Sequence, residues 1–219
     1  MWKFFVLARR ASLGDNGEMK NRLTLGVALM LLASFVFVSF AAKKDNGKDS
    51  VFEIDPANGQ KTGLYLDIMD SYQKVARLAP GKKVLDLFCN QGGFSLACAL
   101  AGAQSVRAVD ISEDATTAAA KNAELTGVQI ETITANAFDF LRKHDETYDL
   151  IILDPPSFTR NKKTVKDAMR GYKEIHLRAL GMLNQSGILS TFCCSHHATR
   201  ELFLESVRSA AVDGKRTLR

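Results

Sequence analysis

Several signatures are missing from this 219-residue chain. It has no G-x-G-x-x-G turn, which weighs against a dinucleotide ligand. It has no internal repeat and no low-complexity tract, so a solenoid or a long solvated tail is not expected. Only four cysteines occur, and they form no recognisable disulfide framework. They read as the reduced thiols of a cytosolic protein. Cys193, Cys194, His196 and His197 crowd together, but ligands this contiguous do not converge easily on one tetrahedral ion, so no metal site is expected. Neither sign of charge dominates: a net charge of +5 and a pI near 9.0 suit a polyanionic partner without requiring one.

One long apolar run is present. Leu23 to Ala42 spans twenty residues without a charge, between Lys20/Arg22 and Lys43/Lys44. That length matches the hydrocarbon core of a bilayer, and from Met19 onward the pattern also resembles a secretory signal. A buried helix or strand pair is the plainer alternative. Residues 1–49 are therefore set apart as an N-terminal extension, with a transmembrane or signal segment at 23–42 and membrane contact through it. The polar stretch Lys43 to Ser50 marks the boundary.

Beyond the boundary, strand-like and helix-like segments alternate. Lys83 to Phe88, Ser105 to Asp110, Gln129 to Ala135, Tyr148 to Asp154 and Gly187 to Cys194 read as strands. An alanine-rich helix ends near Gly102. Ser112 caps a second helix, with Glu113 and Asp114 in its first turn and Gly127 at its close. Longer helices are expected at about 163–183 and 199–212. Such alternation predicts an α/β fold, a doubly wound and mainly parallel sheet covered on both faces. The chain stops at Arg219, where a further strand is expected, so the sheet should lack its last strands.

Ligands of such sheets sit at the carboxyl ends of the strands. There, Asp86-Leu-Phe-Cys-Asn-Gln-Gly-Gly93 links the first of these strands to its helix. Gly92 and Gly93 allow close backbone approach, and the helix start offers free amides. Asp110 ends the next strand, where an acid can accept hydrogen bonds from a ribose diol. The plainer reading is that the glycines shape a turn and Asp110 caps a helix. In one register, the set points to a nucleoside cofactor.

Four segments make the resemblance specific: Val84-Leu-Asp-Leu-Phe-Cys-Asn-Gln-Gly-Gly-Phe94, Val109-Asp-Ile-Ser112, Asp154-Pro-Pro-Ser-Phe158 and Arg170-Gly-Tyr-Lys173. Together they resemble the motifs of class I S-adenosylmethionine-dependent methyltransferases, nearest to the large-subunit ribosomal RNA (cytosine-5-)-methyltransferase family. Gly59-Gln-Lys-Thr-Gly-Leu-Tyr-Leu-Asp67 resembles the segment that precedes the catalytic domain there. The similarity covers residues 51 to 219. It divides the chain into a lead-in at 50–80 and an S-adenosylmethionine-binding methyltransferase domain at 81–219, Rossmann-like and incomplete at its C-terminus. Relatives usually carry an RNA-binding domain upstream and a closing strand pair downstream.

The resemblance implies that Asp86 and the Phe88, Cys89, Asn90, Gly92 and Gly93 turn hold the methionine portion of S-adenosylmethionine. Asp110 and Ile111 would lie at the ribose, Asn136 and Ala137 near the adenine, and Asp154 at the cofactor's edge. The family usually has an acid where Asn136 stands; its amide oxygen can still accept a hydrogen bond. The implied partner is RNA, ribosomal RNA above all, and the implied compartment is the cytoplasm, with a membrane anchor at 23–42 as the variant.

Carbon 5 of a pyrimidine is a poor nucleophile, and a cysteine that adds to carbon 6 overcomes this. The family's Cys-Ser pair maps to Cys194, at the end of a strand bordering the cofactor. The neighbouring Cys193 should point to the opposite side. The plainer reading is a pair of inert core thiols. Cys89 and Cys98 are expected to be structural. Asp154 would hydrogen-bond the target base or assist proton removal, while Pro155 and Pro156 stiffen the loop and Phe158 stacks on the base. Arg160, Lys162, Lys163, Lys166, Arg170 and Lys173 would contact phosphates, or else form an ordinary solvated face. Two other readings stay open. One is methylation of an exocyclic amine by the Asp-Pro-Pro loop; the other is an inactive cofactor-binding or membrane-tethered fragment.

Overall fold

A computed structural model describes residues 3–7, 36–40, 50–54, 68–143, 145–159, 164–195 and 197–218. In chain order, the first three strands are β1 (Lys3–Leu7), β2 (Val36–Phe40) and β3 (Ser50–Ile54). Next come α1 (Met69–Ala76), β4 (Lys83–Leu87), α2 (Gly93–Leu100), β5 (Ser105–Asp110), α3 (Glu113–Thr126) and β6 (Glu131–Thr134). The chain continues through α4 (Ala137–Lys143), β7 (Tyr148–Leu153), α5 (Val165–Gly181), β8 (Leu183–Cys193) and α6 (Arg200–Asp213).

The main sheet runs β1-β8-β7-β4-β5-β6, with β8 to β6 all parallel and β1 antiparallel at the edge. The expected doubly wound sheet is therefore present. Its central strands are apolar because both faces are covered: Val84 to Leu87 of β4 and Leu150 to Leu153 of β7 are all buried. Residues of one parity join one core. Leu85, Leu87, Ile151, Leu153 and Leu189 pack with Phe140, Ile175, Ala179 and Ala210 of α4, α5 and α6. Val84, Leu150, Ile152 and Phe192 face the other way, onto Val75 of α1 and Phe94 and Cys98 of α2.

The sequence's punctuation works as expected at α3. Ser112 Oγ accepts from the Ala115 amide at 3.3 Å, and Gly127 closes the helix in the left-handed region. At the amino ends of the strands, Arg107 bridges Glu131, Glu146 and the Tyr148 hydroxyl at 2.7–2.9 Å, tying β5, β6 and β7 together.

Two expectations change. Lys3–Leu7, within the segment set apart at 1–49, joins the main sheet: β1 pairs with β8 in the register Lys3↔Cys193 to Leu7↔Leu189, at the edge beyond β8. A short apolar pentapeptide far along the chain from its partner carries no local sign of that pairing. The transmembrane reading of 23–42 also finds no support. Its described part, Val36–Phe40, is strand β2, hydrogen-bonded antiparallel to β3, so its backbone groups are satisfied by a neighbour strand rather than within a helix. Among the described residues no helix is long and apolar enough to cross a membrane.

Candidate functional site

The site is built where β4 ends. Phe88 (φ 64°), Asn90 (φ 47°) and Gly92 (φ 86°) all take left-handed backbone, which costs roughly 1–2 kcal/mol for each non-glycine residue. Such strain persists only where the surroundings over-determine it, and here they do. The Asn90 amide donates to Asp110 Oδ2 at 2.9 Å, and the Cys89 amide to the Val109 carbonyl at 3.1 Å. The buried Asn122 of α3 donates through Nδ2 to the Gln91 carbonyl at 3.1 Å. The turn is thus strapped to the end of β5 and to α3.

The two glycines serve the protein's own packing. A Cβ on Gly92 would meet Ala119 Cβ at 3.1 Å, and one on Gly93 would overlap the Tyr72 ring at 2.4 Å. Tyr72, on α1, lies edge-on to Phe94 with ring centroids 4.6 Å apart. The turn-shaping reading of the pair is therefore correct as far as it goes. It leaves the amides at the start of α2 facing the carboxyl end of the sheet.

Asp86 is fully buried, and Ser95 Oγ donates to its Oδ2 at 2.6 Å. Its Oδ1 is buried with no hydrogen-bond partner in the protein. Burial raises its carboxyl from the ordinary value to about 7, with Ser95 opposing and Asp110 adding a little. An orphaned carboxylate oxygen at the start of α2 fits a ligand that brings a cationic donor, as an amino-acid moiety does. Asp110 receives the Asn90 amide on one oxygen and the Ser112 amide on the other at 3.0 Å, leaving lone pairs for a diol. Next to it, Ile111 is 67% exposed, an apolar side chain held open at the rim.

Asn136 departs from the sequence expectation. Its Oδ1 already accepts the Phe138 and Asp139 amides at 2.9 and 3.3 Å, capping α4. The oxygen is used by the helix, and the amide nitrogen is what remains to meet a ligand. Ala137, the first residue of α4, is buried.

On the other side of β4, the Asp154 amide donates to the Leu87 carbonyl at 3.3 Å, joining the β7 and β4 ends. Pro155 is buried and Pro156 exposed. Cys194, half-buried just past β8, places Sγ 3.7 Å from the Pro155 carbonyl. Cys193 points the opposite way, its Sγ 3.6 Å from the Tyr172 hydroxyl. Phe158 is half-buried, 4.6 Å from Tyr172 and 6.1 Å from Phe138 between centroids, so protein already covers part of its ring. Burial pushes the thiols of Cys89 and Cys98 up, with the Asp86 charge adding to both, so neither is a nucleophile at neutral pH.

The ends of β8, β7, β4, β5 and β6 therefore form one continuous rim. It runs Cys194–Pro155, Asp154–Leu87, Asn90–Asp110 and, finally, the Ala135 amide on the Asp110 carbonyl at 2.8 Å. Cavities of about 890 Å³ around Lys83, Arg107 and Glu131, and about 280 Å³ around Asn184, Lys215 and Arg216, open at the opposite end of the strands. They hold none of the chemistry. Arg170 is exposed and paired with Asp167 at 3.0 Å, and Lys173 with Asp213 at 2.7 Å, so these two cations sit on a solvated face. Arg160, Lys162, Lys163 and His196 lie outside the described residues. Sequence reading missed Tyr72, Ser95 and Asn122. Ser95 alone left a trace, as a lone hydroxyl on an otherwise apolar helix.

A five-stranded parallel sheet whose carboxyl rim carries an acid on each of two neighbouring strands is a Rossmann-like nucleoside-cofactor domain. Residues 40–213 match the family model described as S-adenosylmethionine-dependent methyltransferase. The chain belongs to that family, and its cofactor is S-adenosylmethionine. It is 43% identical over 169 residues to the ribosomal RNA large subunit methyltransferase I of Shewanella denitrificans, covering 74% of this chain and 43% of that protein. It is 40% identical, with the same coverage, to the Cronobacter sakazakii protein of that name. The chain thus spans less than half the length of these relatives. Among solved structures, a methyltransferase complexed with SAH superposes with a TM-score of 0.69 at 25% identity, covering 83% of this chain and 47% of the other. A SAM-dependent methyltransferase from Agrobacterium tumefaciens shares the fold, with a TM-score of 0.69, 23% identity, and 83% and 59% coverage.

Proposed function

We propose that this domain methylates RNA at carbon 5 of a cytosine, in ribosomal RNA of the large subunit, through a covalent adduct with Cys194. One observation carries the reading: the Cys194 thiol stands beside the Asp154-Pro155 loop on the rim that also carries Asp86 and Asp110. Relatives named for large-subunit ribosomal RNA methylation support the substrate class.

Asp86 Oδ1 and the α2 amides would hold the amino-acid end of the cofactor, with Asp110 at the ribose and Ile111, Asn136 and Ala137 around the adenine. Bound there, the cofactor supplies an electrophilic methyl group on a sulfonium. Cys194, as thiolate, adds to carbon 6 of the base, and the displaced electron pair makes carbon 5 nucleophilic. After methylation, the Asp154 carboxylate takes the carbon-5 proton, and the C–H electrons re-form the double bond and expel the thiolate. Pro155 and Pro156 stiffen the loop, Phe158 stacks on the base, and Arg160 and Lys163 contact phosphates. A base in structured RNA must leave its stack to reach this rim.

The test is Cys194→Ser in the full chain, assayed with labelled S-adenosylmethionine and large-subunit ribosomal RNA. Methylation and gel-stable RNA–protein adducts should both disappear. Methylation that survives the substitution would instead indicate an exocyclic amine target served by Asp154 and the prolines.

A further inference from the structure

Past Thr191, β8 is no longer paired with β7, and β1 is its strand neighbour there as far as Cys193. Along β7 and β8 the pairing jumps from Tyr148↔Leu183 to Leu150↔Ile188, so two residues of one strand oppose five of the other. Only Leu150 to Leu153 then pair regularly with Ile188 to Thr191. Cys194 lies three residues past Thr191.

A buried polar ladder sits at that point. Thr191 and Cys193, two apart, share the face of β8 turned toward α5, about 6.6 Å between them along an ideal strand. Tyr172 and His176 of α5 are four apart on one helix face, about 6 Å along the axis. The two spacings match. His176 Nε2 lies 3.0 Å from Thr191 Oγ1, and Cys193 Sγ donates to the Tyr172 hydroxyl at 3.6 Å. Tyr172, His176 and Thr191 are fully buried and Cys193 nearly so.

Proton positions follow from the partners. The Ser206 hydroxyl donates to the Phe203 carbonyl at 2.7 Å, so toward His176 Nδ1, 3.4 Å away, its oxygen can only accept. Nδ1 therefore carries the imidazole proton, and Nε2 accepts the hydroxyl proton of Thr191. Every polar atom of the neutral ring is satisfied, and burial agrees, pushing its pKa down to about 3. The rings against it are Tyr172 and Phe203, which offer no counter-charge.

Tyr172 also stacks on Phe158, so one side chain touches both β8 and the loop after β7. We propose that Tyr172 and His176 are positioning residues: by gripping Cys193 and Thr191 they set the Cys194 thiol against the Asp154–Phe158 loop. This rests on Cys194 being the nucleophile. The ladder touches neither the β4 turn nor Asp110, so cofactor binding should be insensitive to it, whereas the reacting thiol should be sensitive.

Thr191→Val keeps the side chain's shape and removes the donor; Thr191→Ser restores it. Tyr172→Phe removes the other rung. Three measurements on the full chain decide: S-adenosylmethionine affinity by calorimetry, RNA turnover, and the rate of Cys194 alkylation by iodoacetamide, read by mass spectrometry. In Thr191→Val, affinity should stay within about twofold while turnover falls roughly tenfold, chiefly in kcat, since small misplacements of a reacting group are costly. Alkylation of Cys194 should change severalfold in the same variant, and Thr191→Ser should return both readouts toward wild type. Affinity and turnover falling together would overturn the proposal, because that marks general loosening. Unchanged turnover and alkylation would overturn it as well. If the wild-type chain methylates no RNA, the nucleophile reading fails, and alkylation still decides the ladder: a shift reversed by Thr191→Ser upholds it, and no shift overturns it.

Discussion

Replacing Asp86 by Asn should make the protein more stable at neutral pH while disabling it. The carboxyl is fully buried, keeps one oxygen without a partner, and titrates near 7 rather than at its ordinary 3.8. A folded-state pKa raised by about three units corresponds to about 4 kcal/mol of linkage. Below pH 4 both states hold the proton and nothing is lost. Between pH 4 and 7 the unfolded chain releases its proton while the fold still holds it, so stability falls, and above 7 both are ionised and the loss is complete. Asn resembles the protonated form and can still accept from Ser95, so its cost does not vary with pH. The stability difference between Asp86→Asn and wild type should therefore grow by about 4 kcal/mol between pH 4 and pH 8, then level off. Urea unfolding followed by far-ultraviolet circular dichroism across that range measures it. Taking the difference cancels His176, which titrates identically in both proteins. A difference flat in pH would refute the argument. The same variant should lose S-adenosylmethionine affinity by at least about tenfold, because the buried oxygen that would meet the cofactor's ammonium is then neutral.

Two further outcomes follow from groups whose ordinary roles are altered by the fold. His176 is held neutral far below its usual pKa, so it favours the folded state above about pH 6.5, and that contribution disappears as pH falls toward 3; His176→Gln should unfold over a shallower acid range in circular dichroism, at the expense of some neutral stability. Asn136→Asp should keep the α4 cap through one oxygen and offer the second to a ligand donor, tightening S-adenosylmethionine binding by roughly fivefold in calorimetry, about one hydrogen bond's worth.

The features legible in the sequence were those with local causes. Leu150 to Leu153 is an uninterrupted apolar run, and Val84 to Leu87 is one broken only by Asp86, the mark of strands buried on both faces. Ser112 and Gly127 bracket α3 because each satisfies backbone groups within a few residues of itself. The features missed depend on distance or brevity. α1 and α4 have eight and seven residues, too few for periodicity to separate them from loops. β8 begins at Leu183, but Asn184-Gln-Ser-Gly187 reads as a turn, and Ser186 does take a positive φ of 70°. β1 owes its place to a partner more than 180 residues away. At the site, residue types were right while the roles of individual atoms were not visible: Asn136 spends its oxygen on a helix cap, and Gly93 makes room for Tyr72.

The division of labour on β8 links the fold to the chemistry. Alternation along a strand sends Thr191 and Cys193 to one face and Cys194 to the other. The first face is dry, fully hydrogen-bonded and fixed to α5 and α6. The second opens on the Asp154 loop, where a reactive thiol needs access to a base. A cysteine in the middle of the strand would be as buried as Cys193, and one on a free loop would lack a rigid support. Placing Cys194 one residue beyond the last anchored position gives it both exposure and a defined direction, and that accounts for two adjacent cysteines having opposite fates.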